Sequence, residues 1–475
     1  MTNRVRTIFA NMSWLMVSQI ITSICAFVWT ILMARYLGPS DYGIFGTAVS
    51  FTVLFSVLSD FGVTTYIVRS ISIDLEHEDK YLNNAISLKL FLSLLYLSAV
   101  TIALLLLGWD NYVVLICLLF AIESLIKSFQ FAFCSSFQAH ELMKYQAISN
   151  IILNVLTLTF IVIVSFTKFG LLGITFAYIF ANIVGLIYTV LVINNKIIKP
   201  RFSFDLSFYK KLILAGIPFA LTGIFYTIYY SIDIVMITHF TSTYFTGLYN
   251  SAYKLINVLT LFYSIYSSVI FPVMSKLFVD EKDMLHFSFV KSIKYLSLVT
   301  IPIAVFTFFY GYDIINIYGS EYAEAGAVLK ILIWTVCFLF VNGACSLILN
   351  ASHKEYSVTK IYSMAAIFNV ILNLILIPKY SVFGASIATV LSEILILLLQ
   401  FYMVSKINQL PDRHFVFDVL RIFFASGVLA FVLYFLNLNM WVAMPVSMVV
   451  YFAVIILIRT VDPDDKLIIK QIIGR

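Results

Sequence analysis

Residues 43–48 read Gly-Ile-Phe-Gly-Thr-Ala, and 204 positions later residues 247–252 read Gly-Leu-Tyr-Asn-Ser-Ala. A second stretch, Gly-Ile-Thr-Phe-Ala at 173–177, recurs as Gly-Ala-Ser-Ile-Ala at 384–388. Apolar segments can resemble one another by chance, but matches in the same order at nearly the same offset indicate an internal duplication. Duplicated membrane chains are typically transporters whose site lies where the two repeats meet.

The composition is that of a membrane protein. Apolar residues make up 62% of the 475 residues and charged residues 11%, with a mean hydropathy of +1.00, whereas soluble domains carry about 45–50% apolar and about 25% charged residues. The apolar runs are continuous and long enough for helices, which satisfy their own backbone hydrogen bonds in hydrocarbon. The sequence therefore predicts an all-α integral membrane protein with about 14 transmembrane helices, at residues 10–34, 43–68, 84–107, 112–136, 147–167, 171–193, 212–238, 246–271, 291–310, 327–350, 359–377, 382–404, 418–437 and 440–459.

Basic residues predict the topology. Most of the 30 Lys and Arg residues fall at the termini or in every second loop, and the densest of these loops lies at 194–211. The loops on the other side hold only Arg35, Lys168, Lys330 and Lys379. Because cytoplasmic loops carry the excess of Lys and Arg, both termini are predicted to be cytoplasmic. The net charge of +6 then reflects topology and lipid headgroups rather than nucleic acid.

Each predicted repeat has an even number of spans, six. The second repeat therefore enters the membrane in the same direction as the first, and the repeats are expected to be parallel, related by an axis along the membrane normal. Two six-helix lobes facing each other would enclose a central cavity. The predicted division is an N-lobe at 1–210 with spans 1–6, a C-lobe at 211–412 with spans 7–12, and an appended pair, spans 13–14, with a cytoplasmic tail at 413–475.

The usual signatures of pumps, redox proteins and hydrolases are missing from the sequence. There is no G-x-x-x-x-G-K-[ST] motif, and the five cysteines form no C-x-x-C pair. The first apolar stretch follows Arg4 and Arg6 and is about 24 residues long, which is typical of a signal anchor rather than a cleaved signal. The predicted loops are too short for a soluble catalytic domain. No catalytic residue, metal site or cofactor is therefore predicted.

Charged residues in or at the ends of the predicted spans are the candidate site, because a charge at the bilayer centre costs about 2.5–3.5 kcal/mol or more. The predicted substrate-binding residues are basic, which suits a phosphate-bearing substrate: Lys254, Lys127, Arg69 and Arg35. The predicted ion-coupling or charge-pairing residues are acidic, which suits a coupling H⁺ or Na⁺: Asp60, Glu123, Asp233 and Glu393.

Some of these charges also have a purely structural interpretation. Glu123 and Lys127 are four residues apart, in the order that favours a helical ion pair. Asp233 and Lys254 lie on consecutive spans and can pair with each other. Arg69 lies at a span end, where an arginine can extend to the membrane interface. Both interpretations stay open at the level of sequence.

Three stretches resemble signatures of the prokaryotic polysaccharide flippases. Residues 34–43, Ala-Arg-Tyr-Leu-Gly-Pro-Ser-Asp-Tyr-Gly, are similar to the ARxLGpxdyG signature that follows the first helix in that family. Asp60-Phe61-Gly62, followed by Arg69, resembles the DFG…R pattern at the end of its second helix. Residues 369–389 resemble a pattern of its second half. The family belongs to the multidrug/oligosaccharidyl-lipid/polysaccharide exporter superfamily, and the resemblance covers most of residues 1–405.

The resemblance implies alternating access and movement of a lipid-linked (prenyl-pyrophosphate) oligosaccharide from the cytoplasmic to the outer leaflet of the cell membrane. It also implies glycosyltransferases or a polymerase of the same pathway as partners. Members with fourteen helices resemble lipid II flippases, whose extra helix pair shapes a groove for the lipid tail. The basic residues in the middle of the first helix of lipid II flippases have no counterpart between Ser13 and Ala34. This departure argues against a peptidoglycan precursor as substrate.

Two other functions are compatible with parts of the sequence. A cation-coupled multidrug or small-molecule antiporter of the same fold would favour an acidic and aromatic cavity over a basic one. A membrane-embedded glycan polymerase or ligase would carry a large external loop with clustered Arg and His, whereas the predicted outside loops are short. The sequence therefore favours a transporter, which makes no covalent bond, over an enzyme.

Overall fold

The computed structural model of the protein describes residues 2–411, 413–463 and 465, and the regular elements in these ranges are all helices. The longer ones are α1 (Thr2–Phe55), α2 (Val63–Ile73), α3 (Glu78–Leu107), α4 (Asn111–Ala139), α5 (Met143–Ser165), α6 (Gly170–Lys196), α7 (Leu206–Phe240), α8 (Thr243–Asp280), α9 (Lys282–Ile315), α10 (Ala325–Leu332), α11 (Trp334–Ala351), α12 (Glu355–Ser405), α13 (Arg413–Leu436) and α14 (Met440–Leu457).

The helices confirm the predicted all-α membrane fold with fourteen spans. Within the described residues, 12 helical segments are long and apolar enough to cross a membrane. Two of these segments, Phe9–Ser59 and Glu355–Ser405, have 51 residues each. At 1.5 Å per residue such a segment is about 76 Å long, more than twice the apolar thickness of a bilayer. Glu355–Ser405 therefore holds two of the predicted spans, 359–377 and 382–404, and Phe9–Ser59 holds the first span and the first part of the second.

Both long segments bend where a non-helical residue interrupts them. Gly38 has φ 71° and ψ 172° in α1, directly before Pro39. Ser381 has φ 53° and ψ −133° in α12, three residues after Pro378. Proline has no backbone N–H to donate to the preceding turn of a helix. A bend next to a proline therefore gives up a hydrogen bond that is already missing. The closely spaced spans 147–167 and 171–193, in contrast, form separate helices, α5 and α6.

The second predicted span, 43–68, is wrong in its continuity. Helix α1 ends at Phe55, one 3₁₀ turn follows at Ser56–Ser59, and α2 begins only at Val63. Phe61 and Gly62, at φ 46° and 71°, form the tight turn between them. A non-glycine residue at positive φ stores backbone strain and is often found at functional sites.

The chain divides into two compact units, Met1–Asn250 and Ser251–Arg475. This boundary lies inside α8, whereas the predicted division at 210, which follows the repeats, stays a prediction. In the first unit α1 packs against α5 and α7, and α4 packs against α6. Large apolar side chains such as Leu106 and Phe166 point outward, as expected of a surface that faces lipid. The predicted cytoplasmic tail beyond residue 465 lies outside the described residues.

A reciprocal glycine contact in the first unit joins equivalent positions of the duplication. A Cβ added at Gly43 would lie 1.7 Å from the carbonyl oxygen of Thr243, and a Cβ at Gly247 would lie 1.9 Å from that of Pro39. The same offset of 204 separates Gly43 from Gly247 and Pro39 from Thr243. Further along both helices, Gly46 faces Asn250. The contacts advance together on the two helices, so the helices run parallel, as an even number of spans per repeat requires.

In the second unit an ion-pair network ties α13 and the segment after α14 to α9. Lys294 of α9 is almost fully buried, and its Nζ lies 3.0 Å from Asp418, 2.9 Å from Asp462 and 2.7 Å from Asp465. Lys291 pairs with the same Asp462 and Asp465. Burial alone would raise the pKa of Asp462, but hydrogen bonds from Lys291, Lys294 and the backbone N–H of Asp465 outweigh it and hold that pKa well below its usual range.

Candidate functional site

The first unit contains a cavity of about 740 Å³. Its wall comes from the end of α1, the turn before α2, α2 itself, α3 and α4, with one residue from α7. Binding pockets for small molecules typically measure about 300–1,000 Å³. The lining residues are Val53, Ser56, Ser59, Asp60, Thr64, Thr65, Val68, Arg69, Lys89, Ser124, Lys127, Ser128, Phe131, Gln138 and Phe219.

The broken second span places Asp60 in the wall of this cavity. The turn packs tightly against α7. A Cβ added at Gly62 would lie only 2.4 Å from the carbonyl oxygen of Gly216 on that helix. The Asp60 carboxylate accepts hydrogen bonds from the backbone N–H and the hydroxyl of Thr64. It therefore lies at the amino end of α2, where the helix dipole favours a negative charge.

Lys89 on α3 is the ionic partner of Asp60. Its Nζ lies 2.5 Å from Asp60 Oδ1, and it donates to the hydroxyl and the backbone carbonyl of Ser128 on α4 at 2.8 and 3.1 Å. These three acceptors use all three donors of the ammonium group. Residue Lys89 is 0% exposed, whereas the Asp60 side chain is 27% exposed. The carboxylate is thus the partner that faces the open space.

Lys89 is missing from the predicted site residues. It lies near the cytoplasmic end of the third predicted span, so the topology prediction takes it as one of the basic residues on the cytoplasmic side. A signal was nevertheless present, because Lys89 falls inside the predicted span 84–107, and the criterion that selected Lys127 applies to it equally. The identity of its partner is a tertiary fact, since Asp60 is 29 positions away on another element.

Lys127 and Glu123 form the ion pair that their spacing predicts. Lys127 Nζ lies 2.7 Å from Glu123 Oε1. Asn182 of α6 also donates to that oxygen, at 2.9 Å. The Glu123 side chain is buried, whereas that of Lys127 is 40% exposed and lines the cavity. The acid is therefore held within the protein, and the ammonium group of Lys127 can reach a ligand.

Arg69 is the third cation of the cavity wall. It is exposed near the end of α2, and it makes no ion pair with any residue that the structure describes. A guanidinium group presents five N–H donors in a planar fork that matches phosphate oxygens. The described cavity wall thus combines one carboxylate, Asp60, with three basic side chains.

The other four predicted site residues do not line this cavity. Arg35 is exposed on α1, just before the break at Gly38. Asp233 is buried on α7 and accepts a hydrogen bond from Tyr249 at 2.8 Å. Lys254 is half-buried on α8, in the second unit. Their proposed roles therefore rest on the sequence alone.

Glu393, the fourth of these residues, is part of a buried amide contact in the second unit. Asn342 of α11 donates to Glu393 Oε2 at 2.7 Å and to the Glu393 backbone carbonyl at 3.0 Å. The first unit holds a similar contact, between Asn182 and Glu123. In both units a buried carboxylate receives an asparagine N–H between the fourth and sixth spans of its repeat. The acid lies on the fourth span in one repeat and on the sixth in the other.

The sequence matches a family profile described as polysaccharide biosynthesis protein over residues 8–278, more than half of the chain, and the MatE profile over residues 218–375. CapF of Staphylococcus aureus, a capsular polysaccharide biosynthesis protein, is 23% identical over 84% of this chain and 99% of its own. Agl15 of Haloferax volcanii, a probable low-salt glycan biosynthesis flippase, is 25% identical over 77% of each chain. Membrane protein MJ1068 of Methanocaldococcus jannaschii is 30% identical, but the match spans only 44% of its length.

Two solved structures share the fold. The lipid II flippase MurJ in an inward closed conformation aligns with a TM-score of 0.77 and 16% identity, over 94% of this chain and 98% of its own. An inward-facing multidrug resistance MATE family transporter of the MOP superfamily aligns with a TM-score of 0.66 and 12% identity, over 83% and 99% of the two chains. At such identities the likeness shows the fold and leaves the substrate open.

Proposed function

The chain belongs to the polysaccharide biosynthesis protein family, and from this premise we propose that it is a flippase for a lipid-linked (prenyl-pyrophosphate) oligosaccharide. The observation that carries the proposal is the cavity of the first unit, where Arg69 and Lys127 present positive charge to a space large enough for a sugar phosphate. The printed names of CapF and Agl15 place these relatives in polysaccharide and glycan biosynthesis, which supports the same substrate class.

The proposed task is to move a charged headgroup across hydrocarbon. An ionised pyrophosphate cannot cross the bilayer core alone, because its desolvation costs tens of kcal/mol. A polar cavity replaces the lost water with fixed donors while the prenyl tail stays in the lipid. Alternating access then carries the headgroup from the cytoplasmic to the outer leaflet without making or breaking a bond. Under the predicted topology, Asp60 and Arg69 lie toward the cytoplasmic end, where the substrate would enter.

In this proposal the basic residues hold the phosphates and the acidic residues respond to a coupling ion. Arg69 and Lys127 share one cavity and are the primary phosphate ligands. Lys254 and Arg35 are proposed as further contacts at other stages of the cycle. Glu123, Asp233 and Glu393, like Asp60, are proposed for H⁺ or Na⁺ coupling or for charge pairing. Glycosyltransferases and a polymerase are the expected neighbours in the pathway.

A cation-coupled multidrug antiporter is the second candidate, because a MATE transporter shares the fold. The charge of the described cavity wall supports the flippase proposal over it. Lys89 is paired with Asp60 and Lys127 with Glu123, so Arg69 leaves the wall with an excess positive charge, and such a surface favours an anionic ligand over the cations that an acidic cavity would attract. A glycan polymerase or ligase is the third candidate, and the printed name of Agl15, a probable flippase, favours transport over it.

Reconstitution tests the proposed activity directly. The purified full-length protein is placed in liposomes that contain a polyprenyl-pyrophosphoryl sugar with a fluorescent tag, and dithionite bleaches the tag in the outer leaflet. In liposomes that contain the protein, we expect dithionite to bleach nearly all of the tag rather than half of it. The measurement is made with and without a proton or sodium gradient across the membrane. Protein-free liposomes serve as the control. If bleaching stops at half of the tag in the liposomes that contain the protein as well as in those without it, the flippase proposal is wrong.

Cysteine labelling tests the proposed orientation in the cell membrane. A cysteine at Lys379 is expected to react with a membrane-impermeant maleimide added to intact cells, whereas a cysteine at Lys199 is expected to react only after the cells are opened. The reason is that basic loops stay in the cytoplasm. The unmodified protein, with its five native cysteines, gives the background. The reverse labelling pattern would place both termini outside and contradict the proposed direction of transport.

A further inference from the structure

Lys89 lines the cavity, yet its charge is hidden from the cavity. Its three N–H donors are used by Asp60 and by the two oxygens of Ser128, and the residue is 0% exposed. Burying an ammonium group costs several kcal/mol even after relaxation. A structural helix contact does not require such a group, because apolar residues of similar size pack at least as well.

The Asp60 carboxylate lies between this hidden ammonium group and the cavity. It is the more exposed partner of the pair, and it belongs to the turn between the 3₁₀ segment and α2 rather than to a helix. Lys89, in contrast, is fixed in the first half of α3, and its ammonium group keeps its two bonds to Ser128.

The surrounding charges connect the Asp60–Lys89 pair to the substrate. The charged side chains of the described cavity wall are Asp60 itself, its partner Lys89 from α3, Arg69 from α2 and Lys127 from α4, the last paired with Glu123. The residue that α7 contributes to the wall, Phe219, is apolar. Lys89 therefore favours the ionised carboxylate while no substrate is bound. An arriving phosphate, drawn in by Arg69 and Lys127, competes for Lys89 and removes that advantage.

We propose that Lys89 is a concealed phosphate-binding residue of the flippase and that Asp60 is the proton-coupling residue that uncovers it. A phosphate oxygen replaces the carboxylate at Lys89 Nζ, and Asp60, now without its ion pair and beside the negative phosphate, takes up a proton from the bulk solution through the water in the cavity. When the phosphate leaves, Asp60 returns this proton to water and closes over Lys89 again. The inference rests on the proposed function, and it adds that one proton binds and leaves together with the phosphate, with one specific carboxylate as its carrier.

Calorimetric titration of the purified full-length protein with farnesyl pyrophosphate tests the inference. The titration is run in two buffers of different ionisation enthalpy, so that the difference in heat reports protons taken up on binding. The unmodified protein is expected to take up protons. Lys89→Met is expected to weaken binding about tenfold or more, because one charge-assisted hydrogen bond is lost. Asp60→Asn is expected to bind at least as tightly and to lose the difference between buffers.

Matched variants make the result decisive. Lys168→Met removes the same charge from an exposed position outside the cavity and should bind like the unmodified protein. If Lys89→Met does not fold, because it leaves Asp60 without its partner, the double variant Asp60→Asn/Lys89→Met removes both charges and should show the same weak binding.

The contrary outcomes separate the two proposals. Normal affinity of Lys89→Met or of the double variant, or a buffer-dependent heat that is as large in Asp60→Asn as in the unmodified protein, would overturn the inference and leave the flippase proposal intact. If the unmodified protein does not bind farnesyl pyrophosphate at all, the inference fails, and the flippase proposal is decided by the liposome assay.

Discussion

Gly43→Ala and Gly247→Ala are each expected to lower the stability of the protein by about 3 kcal/mol or more. Each new Cβ would lie less than 2 Å from a backbone carbonyl oxygen of the other helix, that of Thr243 or of Pro39. A flexible side chain could move away, but a helix backbone cannot yield at one residue alone. The whole crossing of α1 and α8 would therefore have to open. The measurement is the thermal midpoint of the detergent-purified protein, together with the yield of monodisperse material.

The close approach also explains why glycine occupies these two positions. Small residues let helix backbones meet in the membrane, where packing and weak hydrogen bonds drive association and the hydrophobic effect does not. Because both substitutions open the same crossing, the double variant Gly43→Ala/Gly247→Ala should lose less than the sum of the two single losses. Additive losses would indicate that the two glycines act in separate places.

Gly223→Ala is the matched control for these variants. Gly223 is also in a helix of the first unit, but the nearest atom to its added Cβ is a methyl carbon of Val57 at 3.8 Å, an ordinary contact. Alanine is the better helix former by about 1 kcal/mol, so this variant should be as stable as the unmodified protein or slightly more so. If all three glycine substitutions behave alike, the reciprocal contact does not exist in the membrane.

Arg69→Gln is expected to reduce transport tenfold to a hundredfold, the second large effect. Arg69 is the exposed cation of the cavity wall that no described carboxylate neutralises, so its full charge is available to a phosphate. Losing charge-assisted hydrogen bonds to such a group costs about 1.5–3 kcal/mol, which corresponds to that range of rates. The liposome bleaching assay measures the rate, at equal amounts of reconstituted protein.

Arg201→Gln is the control for the charge change. Arg201 is exposed in the basic 194–211 segment of the same unit and lies outside the cavity wall, so the same substitution there should leave transport unchanged. Equal loss in both variants would point to membrane insertion rather than substrate binding. Full activity of Arg69→Gln would remove Arg69 from the site, although Lys127 and Lys89 could still form it.

Much of the fold could be predicted because the bilayer limits the possible structures. A continuous apolar run must be helical to satisfy its backbone in hydrocarbon, and its length sets the number of spans. The fourteen spans, the parallel direction of the duplicated helices and the family were therefore accessible from residues and their spacing. The Glu123–Lys127 pair was accessible for a similar reason, since four residues on one helix place both side chains on one face.

The break at Asp60 and the partner of Lys89 were decided only by the tertiary structure. The run 43–68 is a long apolar run like the other predicted spans, yet the chain turns at Phe61 and Gly62, where Gly62 packs closely against Gly216 of another helix. Hydropathy marks a charge in the membrane as costly but does not say which helix compensates it. Asp60 and Lys89 are far apart in the sequence, and the packing of α2, α3 and α4 alone brings them to 2.5 Å. The sequence by itself thus determined which residues carry charge into the membrane, and the tertiary structure decided which charges are paired, because that pairing depends on which helices are neighbours.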